Sequence, residues 1–435
     1  MNIHMKRLTP AFLMRSLFKE QHRLRFKTKI CRRCFSSSYS GPVLEEVPES
    51  ARVFKPKRVA VLSKMTRYEF EKKRCKTFTE HELKSYLESK RSDYYGLLER
   101  HEVHYNSVEL IRKCLEDNGI ETRVVDRFHY DNETIDWADI ILSAGGDGTF
   151  LLAASRIRDR NKPLLGINTD PQRSEGHLCI QKEYHTLSGF RKAVKNLLLG
   201  DFSWKWRHRI RITVAGIHEC DESVELHDQQ LLYPEHRFTE HVQELETCRN
   251  HVQVTGEEKR KILPVLALNE VFVGESLSSR VSYYNISIDD NPWTKQKSSG
   301  VTVCTGTGSS SWHFNINHLP TESVAEILNI ANDCTGCNFP VANEEMVQEV
   351  ARTFNSSLRF DSAEFRMAFT VRDPVINGIF HVPHPKGFAQ KIEIRSRMWD
   401  ACLVVDGGTS FKFNDGAVAK FELFDEDALR TLTFN

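Results

Sequence analysis

The chain has 435 residues and a net charge of +1, enough length for two or three domains and too little charge bias for recruitment as a whole to nucleic acid or an anionic membrane. Hydrophobic residues make up 40% and charged residues 27%, the balance of a soluble globular protein. No apolar run approaches the ~20 residues that span a bilayer, so stable membrane insertion is not expected.

The first stretch has its own character. Ten lysines and arginines from Lys6 to Arg33 are opposed by one acid, Glu20, and Leu13, Met14, Leu17 and Phe18 suit one face of a basic amphipathic helix. A serine-rich run, Ser36 to Ser40, follows. Residues 1–45 therefore read as a disordered mitochondrial presequence, placing the mature protein in the matrix. The cysteines are scattered, with close pairs only at Cys31/Cys34 and Cys334/Cys337, so reduced thiols are expected.

Folded sequence begins at Arg58–Ser63, an apolar run that reads as a buried strand. Residues 66–117 are charged and helical in pattern and end at Asn118-Gly119, a C-cap signal. Strands follow at Thr122–Val125, Asp139–Leu142 and Leu164–Asn168, with a helix between the last two that stops before Pro163. This alternation predicts an α/β domain with a parallel sheet over residues 57–200. The pattern then changes. Trp204–Val214, Val265–Val273, Val281–Ile288, Gly300–Cys304, Phe365–Val371, Gln390–Ser396 and Ala401–Asp406 read as short strands, with helix over 321–355. They predict an all-β C-terminal domain over 201–425. A polar insertion at 218–262 interrupts it, and residues 426–435 read as a C-terminal tail. The irregular spacing of the insertion's histidines suits no metal site.

Three segments carry chemistry. The first is Gly145-Gly146-Asp147-Gly148-Thr149, between an apolar strand and an apolar helix. Glycines let a backbone approach an anion closely, and a helix start offers free N–H groups to phosphate. A carboxylate in such a loop is a cost unless it serves as a base or holds a metal. The second is Asn269-Glu270 inside a strand; an amide beside a carboxylate can both donate to and accept from a ribose diol. The third is Thr305-Gly306-Thr307-Gly308-Ser309-Ser310-Ser311-Trp312, a small-residue loop that a nucleotide could approach. A Rossmann Gly-x-Gly-x-x-Gly is absent, which argues against hydride transfer.

In this order and on this layout the three segments resemble the NAD kinase family. Gly145 to Thr149 matches the family's Gly-Gly-Asp-Gly-Thr, Asn269-Glu270 its Asn-Glu pair, and Gly166-Ile167-Asn168 its Gly-Val-Asn segment. Its Thr-Pro-Thr-Gly-Ser-Thr-Ala-Tyr segment falls on Thr305 to Trp312, departing at Gly306 and Ser311-Trp312; other departures are Asp170 and Ser299. The resemblance implies a two-domain NAD kinase-like fold and transfer of the ATP γ-phosphoryl to the adenosine ribose 2′-hydroxyl of NAD, with Mg²⁺ entering on ATP. It implies Asp147 as base; Gly145, Gly146, Gly148 and Thr149 as phosphate cradle; and Asn168, Asn269, Glu270, Thr305, Thr307, Gly308, Ser309 and Ser310 as NAD contacts. It also implies self-association, as a dimer. A diacylglycerol-type lipid kinase or phosphofructokinase would share the glycine loop, and a non-catalytic NAD(P)-binding regulator would keep the pocket; both readings stay open on sequence.

Overall fold

The computed structural model describes residues 54–216, 223–232, 260–377 and 384–434. The presequence and most of the polar insertion lie outside these residues.

Four strands, β1 (Arg58–Ser63), β2 (Glu121–Val125), β3 (Ile140–Ala144) and β4 (Leu164–Ile167), form a parallel sheet in the order β2-β1-β3-β4. Strands β1, β3 and β4 are apolar along almost their whole length and bury nearly every residue, because helices cover both faces of a parallel sheet. The charged 66–117 stretch makes three helices, Arg67–Arg74, Glu80–Ser89 and Tyr94–Asp117. The first two open on threonine caps and the third on Asp93. Asn118 closes the third, with Gly119 left-handed at φ 76°, as a C-cap requires.

The second half contains two antiparallel sheets packed face to face. One has six strands, in which Ile210–Ala215 (β6) pairs with Val418–Leu423. The other has seven and centres on β9 (Glu270–Glu275), flanked by β12 (Val301–Cys304) and β16 (Ala401–Val405). Alternate residues such as Ile210, Ile212, Val271, Val273, Val301, Val303, Leu403 and Val405 point into the shared core, the period-2 pattern of a sandwich. Two helices, Thr321–Thr335 and Glu344–Ser357, pack on each other outside it. Strands at Thr294–Ser298, Lys386–Ala389 and Thr409–Lys412 are not legible in the sequence. The described cysteines are free thiols.

Three expectations need correction. The run Trp204–Val214 is two strands, broken at His208-Arg209. The first, β5 (Phe202–Arg207), stays with the α/β layer, and the second enters the sandwich. Arg209, 0% exposed, explains the break. Its guanidinium donates to the carbonyls of Ala154, Ile157 and Asp427, neutralising the C-terminal end of the helix that begins at Asp147. The edges of the 218–262 insertion are ordered: Val224–Glu225 and Arg260–Ile262 add strands, and Leu226–Leu232 is helical.

Residues 426–435 are not a free tail, since Leu429–Phe434 (β19) pairs antiparallel with β5. Leu432 and Phe434 join one α/β core and Leu429 the other. Leu429→Ala should therefore destabilise the fold by about 2–5 kcal/mol, the usual range for a buried leucine truncation, read as a drop in thermal midpoint. Wild-type stability would show that the strand contributes nothing to the core.

Candidate active site

The topology brings the three segments together. β9 is central and antiparallel to both neighbours, so both end where β9 begins. Glu270 lies opposite Cys304, the last residue of β12, and Val271 opposite Val405. The Thr305–Ser311 loop and the Asp406-Gly407-Gly408 turn therefore leave the sheet on either side of Asn269-Glu270. This sheet end faces the carboxyl ends of β1 and β3, where ligands of parallel sheets sit. Between them lies a cleft of about 320 Å³, lined by Ser63, Lys64, Gly146, Gly148 and Thr149 on one side and Val405 to Thr409 on the other.

The glycine loop suits phosphate. Its helix, Asp147–Arg156, is capped by Gly146 with no side-chain hydrogen bond, leaving first-turn N–H groups for an anion. A Cβ at Gly145 would meet Thr149 Oγ1 at 2.3 Å, whereas Gly148 faces open space. Lys64 leaves β1 beside this loop, its amide donating to the Ala144 carbonyl at 3.0 Å. Burial lowers the pKa of its ammonium, which Asp170 opposes.

Asp147 occupies the first helical position. Its Oδ1 accepts from Leu178 N at 2.8 Å and its Oδ2 from His177 N at 3.1 Å, so the loop after β4 fixes the carboxylate's orientation. Asn168 shapes that loop: its amide nitrogen donates to the Ser174 carbonyl at 2.8 Å and its oxygen accepts from Asp170 N at 3.0 Å. Both ends of this side chain are thus engaged locally, and its observed work is to hold the backbone that grips Asp147.

Behind the Val405–Thr409 wall, where β9 begins, lie buried polar atoms without partners among the described residues. Asn269 Oδ1 and Glu270 Oε2 make no hydrogen bond among the described residues, an arrangement that awaits a ligand. Burial first, and the nearby Asp406 second, push the Glu270 carboxyl up to about 8, so it is protonated at neutral pH and can donate.

The third segment divides into scaffolding and surface. Thr305 Oγ1 donates to the Leu268 carbonyl and accepts from Gly308 N at 3.2 Å. Ser309 Oγ donates to the Gly306 carbonyl at 2.7 Å and accepts from Phe360 N at 3.1 Å. Ser310 Oγ reaches the Thr307 carbonyl at 3.5 Å. Gly306 is forced: a Cβ there would lie 2.0 Å from the Asp361 carbonyl oxygen, so this packing leaves no room for the family's proline. At Gly308 a Cβ would lie 2.2 Å from the Asn269 carbonyl oxygen. Gly308→Ala should push the loop off the Asn269-Glu270 strand and destabilise the fold by about 1–3 kcal/mol, the usual cost of overpacking. A drop in thermal midpoint checks it, and wild-type stability would refute the close packing.

Two participants were not legible as site residues. Arg207, in an alternating strand, donates to Thr307 Oγ1 at 3.5 Å and is drawn electrostatically to Asp361 and Asp147, so it ties the first segment to the third. Its Nε has no partner among the described residues. Asp406, the residue after β16, is the other: its carboxylate accepts from the amides of Leu268, Asn269 and Glu270.

A phosphate-accepting helix start with an oriented carboxylate, faced by an unsatisfied amide–carboxyl pair, is the equipment of a phosphotransferase acting on a nucleotide. A sequence profile described as the ATP-NAD kinase N-terminal domain matches residues 53–190. The chain is 48% identical over 381 residues to "NAD kinase 2, mitochondrial" of Rattus norvegicus, covering 87% of this chain and 88% of the rat protein. It is 48% identical over 381 residues to the Homo sapiens protein of that name, covering 87% and 84%. With the Xenopus tropicalis protein of that name it shares 46% over 425 residues, 93% of this chain and 97% of the relative. The chain belongs to the NAD kinase family.

Proposed function

We propose that the chain transfers the γ-phosphoryl of ATP to the adenosine ribose 2′-hydroxyl of NAD, making NADP in the mitochondrial matrix. The observation that carries this reading is Arg207, which bonds Thr307 and faces Asp147, so that the oriented carboxylate shares one site with the loop beside the unsatisfied polar atoms of Asn269 and Glu270. The relatives at 48% identity are mitochondrial NAD kinases, and neither a lipid kinase nor a silent regulator has an observation in its favour.

Phosphoryl transfer is mostly positioning and charge stabilisation. The first-turn N–H groups at Gly146 to Gly148 and the Lys64 ammonium sit at the cleft that takes the donor phosphates. Mg²⁺ enters as part of the substrate Mg-ATP. Such an ion is held chiefly by phosphate and water, with one or two carboxylates at most. Asp147, held by two amides, takes the 2′-hydroxyl proton as the oxygen attacks. Asn269 and protonated Glu270 hold the ribose, Arg207 offsets negative charge near Asp147, and the Thr305–Ser310 loop closes the acceptor side. Purified protein given Mg-ATP with NAD or with diacylglycerol tests this: NADP should accumulate, and phosphate on the lipid alone would overturn the reading.

A further inference from the structure

One carboxylate connects the cleft wall to the strand that carries the acceptor pair. Asp406 follows β16 in left-handed backbone, φ 49°, with Gly407 next at φ 66°. Its Oδ2 accepts from Leu268 N at 2.8 Å. Its Oδ1 accepts from Asn269 N at 2.8 Å and Glu270 N at 3.0 Å. Its own amide donates to the Glu270 carbonyl at 2.9 Å. All four bonds land on the segment that carries the acceptor pair. The residues of the same turn, Asp406, Gly407 and Gly408, line the cleft opposite Gly146 and Gly148. A non-glycine residue in left-handed backbone is uncommon and persists where the surroundings over-determine it; here four hydrogen bonds do so.

We infer that Asp406 is a positioning residue: it locks the Asn269-Glu270 pair to the turn that walls the donor cleft, so that filling the cleft with ATP tightens NAD binding. This rests on the assignment of cleft and pair to ATP and NAD. An aspartate is required because the three N–H groups converge on two oxygens. Asparagine would turn an NH₂ toward at least one of them. The carboxylate also acts at a distance on Glu270. After burial, its charge is what raises the Glu270 carboxyl. The titratable groups around the pair are Cys304 beside Glu270, and Arg209, whose charge favours ionised Asp406.

Asp406→Asn and wild type are titrated with NAD by calorimetry from pH 6 to 9, with and without a non-hydrolysable ATP analogue, and their melting temperatures are recorded. In wild type the analogue should tighten NAD binding about fivefold, within the usual range of coupling between sites. In Asp406→Asn, NAD affinity should fall about tenfold or more, the coupling should vanish, and the alkaline loss of affinity should move to lower pH because Glu270 ionises earlier. A structural role alone would lower the melting temperature without moving the pH limb. A folded variant with wild-type affinity, pH limb and coupling overturns the inference. If the variant does not fold, wild type decides: the tightening supports the inference and its absence overturns it. The readout is affinity, so wild-type protein that binds NAD without making NADP would sink the activity and leave this inference to its own test.

Discussion

Asp147→Asn should lower kcat by about 10²–10⁴-fold, the range for removing a positioned general base, while changing the NAD and ATP KM values little. The amide keeps the size of the side chain and one acceptor oxygen, so the bond from Leu178 N at 2.8 Å can persist. What it loses is the capacity to take the 2′-hydroxyl proton as the phosphoryl moves. Arg207 would also lose a compensating anion, though that effect is smaller because Asp361 faces it as well. Steady-state rates of NADP formation, with KM and kcat separated, check the prediction. A variant with wild-type kcat would show that the carboxylate only shapes the loop, and a rise confined to KM would make it a binding group.

The parts of this site that sequence displays are those built from consecutive residues. The glycine loop, the Asn269-Glu270 pair and the Thr305–Ser311 loop each carry their signature within a few positions, and β1, β3 and β4 announce themselves as unbroken apolar runs. What stayed hidden depends on pairing across the chain. Asp406 lies 136 residues from the Glu270 amide it holds, and only the antiparallel register of β16 on β9 brings them together. Arg207 alternates with tryptophans in a strand that looks half-exposed, and its meaning comes from Thr307, 100 residues on. The C-terminal strand escaped for a different reason. Leu429, Leu432 and Phe434 break the alternation of a one-faced strand because they serve two cores rather than one. Asn168 shows the converse: its motif position is legible, but its hydrogen bonds make it a clasp for its own loop.

Glu270 should leave a pH signature in both NAD binding and stability. Burial and Asp406 lift its carboxyl from the ordinary 4.5 to about 8. Below about 4.5 folded and unfolded chains both hold the proton, so no stability is lost there. Between 4.5 and 8 the unfolded chain releases it while the folded one keeps it, so this group makes stability fall as pH rises. Above 8 both are ionised and its contribution is flat. Asp406, raised by burial to about 6, adds a slope of the same sign that ends near 6. The buried histidines His104 and His313, held well below 6.5, add a slope of opposite sign that ends a little above 6.5, so within the interval from pH 6 to 8 the fall above about pH 7 reports Glu270. Glu270→Gln should flatten the fall in melting temperature across that interval relative to wild type. On the proposed assignment of Glu270 to the NAD ribose, the protonated carboxyl donates to a ribose oxygen. Wild-type NAD KM should therefore climb as pH passes 8, whereas the glutamine variant, which keeps a donor and an acceptor, should hold a steady KM. Glu270→Ala loses the bond outright and should raise KM about 3- to 10-fold at neutral pH, the worth of one neutral hydrogen bond. Parallel alkaline rises in wild type and Glu270→Gln would place the titrating group elsewhere in the site.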